Sequence, residues 1–422
     1  MLHCSIKRVL TPTMTHLAAA LPRPAVAQLS EIAASPGIRL ALFALAMGGF
    51  TIGTTEFAAM SLLPQLSAGL GVDEPTAGQA ISAYALGVVI GAPTLAILCA
   101  KLPKRRVLIG LMILCAIGNL ASALAPNFGT LLAFRFLSGL PHGAYFGVGA
   151  LVAASLVARE RRTQAVGRML LGLTAATIVG VPLANIISQW GGWRCGFAIV
   201  TALAITTALL IARFVPFRPG DPAASPLREL SALKSRQVWL TLGTGAIGFG
   251  GMFAVYTYLA TTLAQVTDAP ASMLPVALVL FGIGMTAGTI VCAWGADRAL
   301  MPTAGLCLLF STVVLALYAP AAHHLASMLI VITLIGAGGG LGAVLQARLM
   351  DVAGDGQNLA AALNHSAFNT ANALGPWLGG MAITAGYGWT STGAVGVALG
   401  IGGLIVWAVS YRLENTPKQR PG

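Results

Sequence analysis

Blocks of apolar sequence, each long enough to cross a lipid bilayer, constrain this chain more than any other feature. They lie near residues 39–64, 75–100, 106–125, 130–157, 164–189, 195–215, 238–264, 272–295, 303–320, 327–349, 359–385 and 390–411. A helix needs about 20 predominantly apolar residues to span the hydrocarbon core. Only 9% of the residues are charged, whereas a soluble domain carries about 25%, and a soluble fold is thereby excluded. The expected fold is an all-α membrane protein of twelve transmembrane helices.

The longest polar interruption, PFRPGDPAASPLRELSALKSRQ at residues 216–237, divides the helices six and six. The expected organisation is a disordered cytoplasmic extension at 1–37, a six-helix bundle at 38–215 and a cytoplasmic central loop at 216–237. A second six-helix bundle at 238–412 and a cytoplasmic tail at 413–422 follow. With the N-terminus inside, all of the 24 lysines and arginines except Arg135 and Arg194 fall in or beside inner segments. That asymmetry is what the positive-inside rule demands, and it puts both termini in the cytoplasm. The formal net charge of +12 therefore records topology, and no nucleic-acid partner is expected.

The halves echo one another, as transporter repeats do. GVPLAN (Gly180–Asn185) in the fifth block matches LGPWLGG (Leu374–Gly380) in the eleventh, and AKLPKRR (Ala100–Arg106) matches GADRALMP (Gly295–Pro302). Proline removes a helix hydrogen bond and glycine lets helices approach closely, so Gly180, Pro182, Gly375 and Pro376 are expected bend points. The six cysteines show no metal-ligand spacing, and no metal site is expected. GGGLGA (Gly338–Ala343) lacks the preceding strand of a dinucleotide fingerprint, and no phosphate-binding GxxxxGK[ST] loop exists. No cofactor is expected.

Of the 12 acidic residues only Glu56, in GFTIGTTEFAAM (Gly49–Met60), lies well inside a block. A carboxylate at the centre of a membrane helix costs roughly 2.5–3.5 kcal/mol, and is kept by facing a wet cavity, by pairing or by taking up a proton. Counting from Pro64 and Gly129 at 1.5 Å per residue puts Glu56 roughly 12 Å and Arg135 roughly 9 Å from the same membrane face. An interaction between them, broken by a proton or by substrate, is one expectation. A static ion pair or outward snorkelling of Glu56 are the alternatives.

His142 lies two turns beyond Arg135 on nearly the same face, either as a second proton carrier or as a hydrogen-bonded packing residue. His365, Asn369 and Asn372 form one polar face on the eleventh block, suited to contacting substrate or to joining helices. Tyr84, Tyr145, Phe253 and Tyr256 suit either a cavity for amphipathic or aromatic compounds or a membrane interface.

Three stretches carry a resemblance to a known family: TTEFAAMSLLPQL (Thr54–Leu66), GWRCGF (Gly192–Phe197) and LNHSAFNTANALGPWLGG (Leu363–Gly380). Over roughly residues 38–412 the chain resembles major facilitator superfamily transporters of the drug:proton antiporter type, close to bacterial arabinose-efflux-permease-like proteins. The family's 2–3 loop motif, G-x-L-x-D-R-x-G-R-R, aligns with Ala96–Arg105, where Ala100 replaces the Asp and Pro103 the Gly. Lys101, Lys104 and Arg105 remain, and Asp297 with Arg298 keeps an acidic–basic pair in the 8–9 loop. These residues serve either as a conformational motif or as topology-fixing charges. R-x-x-Q-G matches Arg135–Gly139 with Ser138 for Gln, which implies an intramembrane arginine associated with proton coupling. G-P-x-x-G-G matches Gly375–Gly380 closely and Gly180–Asn185 loosely.

The resemblance implies a major facilitator fold of two pseudo-symmetric six-helix bundles, with the first and fourth spans lining the cavity. The expected function is proton-coupled export of a small organic solute (drug, sugar or metabolite) by alternating access in the bacterial inner membrane. Glu56, Arg135 and His142 would couple the protons. A proton-independent facilitator or an uptake symporter is the alternative within transport, and a polytopic sensor or enzyme the alternative outside it. The expected partners are the small-molecule substrate, protons and the lipid bilayer, and the chain is expected to act as a monomer.

Overall fold

The computed structural model describes residues 36–158, 161–220 and 230–415. The helices are α1 (Pro36–Ser61), α2 (Glu74–Leu98), α3 (Lys104–Ala123), α4 (Phe128–Ser155), α5 (Gln164–Gly191), α6 (Trp193–Phe214), α7 (Arg236–Thr257), α8 (Met273–Ala296), α9 (Leu300–Ala316), α10 (Leu325–Val352), α11 (Gln357–Ala382) and α12 (Ser391–Asn415). No β-strand occurs among the described residues. Ten of these helices are long and apolar enough to cross a membrane, all except α9 and α11. Helix α9 has 17 residues, because the chain turns at Leu317 into a one-turn helix, Tyr318–Ala321. Helix α11 has 26 residues; its polar face lowers its hydropathy, not its length.

The expected extension at 1–37 lies outside the described residues except for its last two, which begin α1. Residues 221–229 of the central segment and 416–422 of the tail are also outside them. Within the central segment, Leu230–Lys234 forms a 3-10 turn, and α7 starts at Arg236 behind a Ser235 cap.

Local chemistry sets the helix starts. Asp73 caps α2 by accepting from the Thr76 N–H (2.7 Å), with Pro75 in the first turn, where its missing N–H costs nothing. Asn127 and Thr130 form a reciprocal capping box at the start of α4. Between α5 and α6, Gly192 takes φ 81°, a left-handed conformation that favours glycine. Proline interrupts the hydrogen-bond ladder of the long helices: Pro93 lies inside α2 and Pro376 inside α11, while a π-turn at Ala176–Gly180 precedes Pro182 in α5.

The helices pack in two sets. α1 lies on α5 and α6, α3 on α4 and α6, and α2 on α4; in the second set α7 lies on α11 and α12, α8 on α10, and α9 on α10 and α12. Close approaches in the first set need glycines: a Cβ on Gly172 of α5 would stand 1.9 Å from the Ala46 carbonyl oxygen of α1, and one on Gly139 of α4 would stand 2.1 Å from the Tyr84 carbonyl oxygen of α2. The two sets meet through α2 on α11, α5 on α8, α4 on α11 and α1 on α7, with α2–α11 the most extensive contact. The outer surface is apolar: Leu86, Ile117, Leu209, Ile290, Leu306 and Ile330 are each about half exposed or more. Lipid matches such a surface, whereas water would leave it unsatisfied.

Candidate functional site between the helix sets

In the last two turns of α1 two neighbouring residues face different ways. Thr55 points into the first helix set, toward α3 and α4, and Glu56 points across to α11. Successive residues on a helix are about 100° apart at 3.6 residues per turn, so one step along α1 changes the partner helix.

On the Thr55 side sits Arg135, fully buried. Its Nη1 donates to Thr55 Oγ1 (3.3 Å) and Ser138 Oγ (3.4 Å), and its Nη2 to the Thr55 carbonyl (3.4 Å). Thr55 Oγ1 donates on to Asn119 Oδ1 of α3 (2.6 Å). The guanidinium lies 4.4 Å from the Tyr84 ring centroid and 5.2 Å from that of Phe197, on α6. Aromatic faces and hydroxyls thus surround this charge, while its Nε has no hydrogen-bond partner.

On the other side, Glu56 is 6% exposed. Its Oε1 accepts from Asn372 Nδ2 of α11 (3.0 Å). Asn372 also approaches Asn369 Oδ1 (3.4 Å), and Asn369 Nδ2 donates to the His365 carbonyl (3.0 Å). The expected polar face of α11 is therefore one connected strip that ends on Glu56. Pro376 helps this strip: with no N–H, it leaves the Asn372 carbonyl four residues earlier without its helical donor and loosens α11 at that level.

His365 stacks on Phe146 of α4 (4.8 Å, 5°), and its ring centroid is 5.7 Å from that of His142. His142 Nδ1 and the Tyr84 hydroxyl are hydrogen-bonded at 3.0 Å. Tyr84 joins the two sides, its ring on Arg135 and its hydroxyl on His142. Phe57, the next residue of α1, meets Phe253 (6.2 Å, stacked) and Tyr256 (5.5 Å, edge-on) of α7. The Tyr256 hydroxyl and Asn372 Oδ1 are buried without partners.

The structure thus brings Glu56, Tyr84, Arg135, His142, His365, Asn369 and Asn372 together, with Phe253 and Tyr256 beside them. Several expectations are corrected. Glu56 and Arg135 form no ion pair; among the described residues the only salt bridge is Arg348–Glu414 (2.9 Å) between α10 and α12. Depth counted along two helices cannot see the 100° rotation that turns Glu56 to α11. Tyr145 lies outside the cluster, because its hydroxyl donates to the Leu45 carbonyl (3.0 Å) and its ring packs α4 on α1. Asp297 and Arg298 do not pair, since Arg298 Nη1 donates to the Trp294 carbonyl (2.7 Å) and the guanidinium covers the Trp294 ring.

The other motif residues hold helix ends and crossings. Lys104 donates to the Ala100 carbonyl (2.6 Å), Arg105 donates to the Ala212 carbonyl at the end of α6, and Lys101 is exposed. Gly180 lies against Thr54 and Phe50 of α1, and Pro182 is buried two residues after the π-turn. A Cβ on Gly375 would stand 2.3 Å from the Gly250 carbonyl oxygen of α7. Thr55, Asn119 and Phe57 belong to the site without having been expected there; the signal was present in Asn119, an amide in the middle of the third apolar block.

A family model described as Major Facilitator Superfamily matches residues 45–340. The chain is 37% identical to the Inner membrane transport protein YdhP of Escherichia coli (strain K12), covering 90% of this chain and 98% of that protein. It is 32% identical to a Chloramphenicol resistance protein of Streptomyces lividans, over 80% of this chain and 87% of that one. Similarity extends to a protein of Pasteurella multocida (strain Pm70) named "Probable sugar efflux transporter", 28% identical over 87% of this chain and 91% of that one.

Proposed function

The chain belongs to the major facilitator superfamily, a transporter and not an enzyme, and on that premise we propose that it exports a small organic solute in exchange for protons. All twelve helices cross the bacterial inner membrane in this reading, with both termini cytoplasmic. Residues 38–215 rock against 238–412, and 216–237 link them. The names of the relatives, "Inner membrane transport protein YdhP", "Chloramphenicol resistance protein" and "Probable sugar efflux transporter", support inner-membrane efflux.

The observation that carries the proposal is the hydrogen bond from Asn372 to Glu56, which puts the one deep carboxyl on the seam between the two helix sets. A buried carboxylate needs donors; a protonated carboxyl is itself a donor and loses the charge that made burial expensive. The Asn372 amide serves both states, with its N–H toward the carboxylate and its unpartnered oxygen for the acid. A proton arriving at Glu56 therefore changes what holds α1 to α11, and any change at that seam is a change between the rocking units. Arg135 keeps the neighbouring potential positive, and Tyr84, His142 and His365 provide the polar route beside it. The aromatic wall of Phe57, Phe253 and Tyr256 favours a cargo with an apolar aromatic part over a solute that is polar all round.

The test is transport in reconstituted vesicles with an imposed pH gradient. Glu56→Gln keeps the size of the side chain and its hydrogen bonding but cannot titrate. The variant is expected to insert and fold normally and to lose gradient-driven exchange. Full gradient-driven export by it sinks the proposal.

A further inference from the structure

At the end where α1 finishes and α2 begins, three side chains tie the two helix sets together. Glu74, the first residue of α2, accepts a hydrogen bond from the Thr261 hydroxyl in the short helix Leu259–Gln265 that follows α7. Tyr258, which separates α7 from that short helix, has no exposed surface, and its hydroxyl donates to the Pro376 carbonyl of α11 (2.9 Å). The same hydroxyl sits in a cleft made by one glycine from each set. A Cβ on Gly78 of α2 would stand 2.8 Å from it, and a Cβ on Gly380 of α11 would stand 2.6 Å from it. One layer deeper, Phe57 of α1 closes on Phe253 and Tyr256 of α7, and Phe281 of α8 lies 4.4 Å from Tyr256.

We propose that Glu74, Thr261 and Tyr258 form a latch that holds the transport path shut at this end. Opening would break the Glu74–Thr261 hydrogen bond and draw the Tyr258 hydroxyl out of the Gly78–Gly380 cleft. The proposal rests on alternating access but on neither proton coupling nor membrane orientation.

Two features separate a latch from permanent cement. First, the Glu74–Thr261 tie is a single side-chain bond between two helix ends, outside any backbone ladder, so one rotamer change undoes it. Second, the helix is already interrupted at Tyr258 (φ −103°, ψ 11°), so the short helix bearing Thr261 swings without unwinding α7. The glycines give the closed state its specificity. Only residues without a Cβ on both walls admit the hydroxyl, and the closed position is reached only when α2, the segment after α7, and α11 arrive together.

Hydrogen exchange of the full chain in lipid nanodiscs, followed by mass spectrometry, reads the latch without transport. Thr261→Val and Glu74→Ala, which remove the donor and the acceptor, are each expected to raise deuterium uptake about twofold or more in peptides covering 63–80 and 257–268, as a local opening does. Uptake should fall in peptides covering the opposite ends of α4 and α10 as the units rock. Thr261→Ser keeps the hydroxyl and should behave as the wild type. Gly78→Ala, which pushes on the Tyr258 hydroxyl without touching Glu74 or Thr261, should reproduce the opening. Unchanged uptake at 63–80 and 257–268, or a rise spread evenly over all peptides, overturns the latch. Export retained by Glu56→Gln would sink proton coupling and leave this result standing.

Discussion

Arg135 and Glu56 are neighbours at the middle of the molecule, yet they are held in opposite ways. Arg135 is enclosed by residues of its own helix set, Thr55, Tyr84, Ser138 and Phe197. Glu56 is held from the other set by Asn372. In the proposed rocking of one set against the other, the arginine would keep its surroundings and the glutamate would exchange its own. The difference fits the different tasks proposed for them: a fixed positive centre on one side of α1, and on the other a carboxyl whose partner would change with conformation.

The sharpest break of that comparison is Glu56→Gln, whose transport defect should come with an unchanged melting temperature. Arg135→Ala should do the reverse first. It removes a desolvated cation stacked on an aromatic face, worth about 2 kcal/mol or more, so melting in detergent should fall clearly. Arg135→Lys should recover only part of this, because an ammonium cannot reach Thr55 and Ser138 with a planar fork. If Arg135→Ala melts like the wild type, the arginine is not the fixed element. Asn372→Ala comes next: a hydrogen bond to a charged group contributes about 1.5–3 kcal/mol, so gradient-driven exchange should slow by roughly tenfold or more. Downhill flux without a gradient should change less, and equal losses in both would make Asn372 a packing residue. Tyr145→Phe is the smallest change. It removes one hydroxyl from the Leu45 carbonyl, costing about 0.5–1.5 kcal/mol, and should lower the melting temperature slightly with no change in apparent substrate affinity.

Much of the site could be found along the chain because lipid penalises polar side chains individually. Glu56, Arg135, His142, and the row His365, Asn369, Asn372 each stand out against apolar neighbours, and all of them meet in the fold. Tyr145 did not, because an aromatic hydroxyl is equally at home in a cavity, at an interface or on a backbone carbonyl. Asp297 and Arg298 stand side by side in the sequence, but that adjacency did not tell that Arg298 partners the helix end behind it, at Trp294. Thr55 carried no signal at all, since a threonine in a membrane helix ordinarily satisfies itself on its own backbone.

Composition and block length by themselves determined that this is a helical membrane protein, because hydrocarbon leaves a chain of this kind no other way to satisfy its backbone. They also determined which few side chains must be doing something other than facing lipid. Which of those side chains touch was decided by the tertiary structure alone. A step of one residue on α1 turns a side chain from α4 to α11, and no count of residues along two separate helices contains their relative rotation. That rotation put Glu56 on Asn372 instead of Arg135, and so moved the carboxyl from the inside of one helix set to the seam between two.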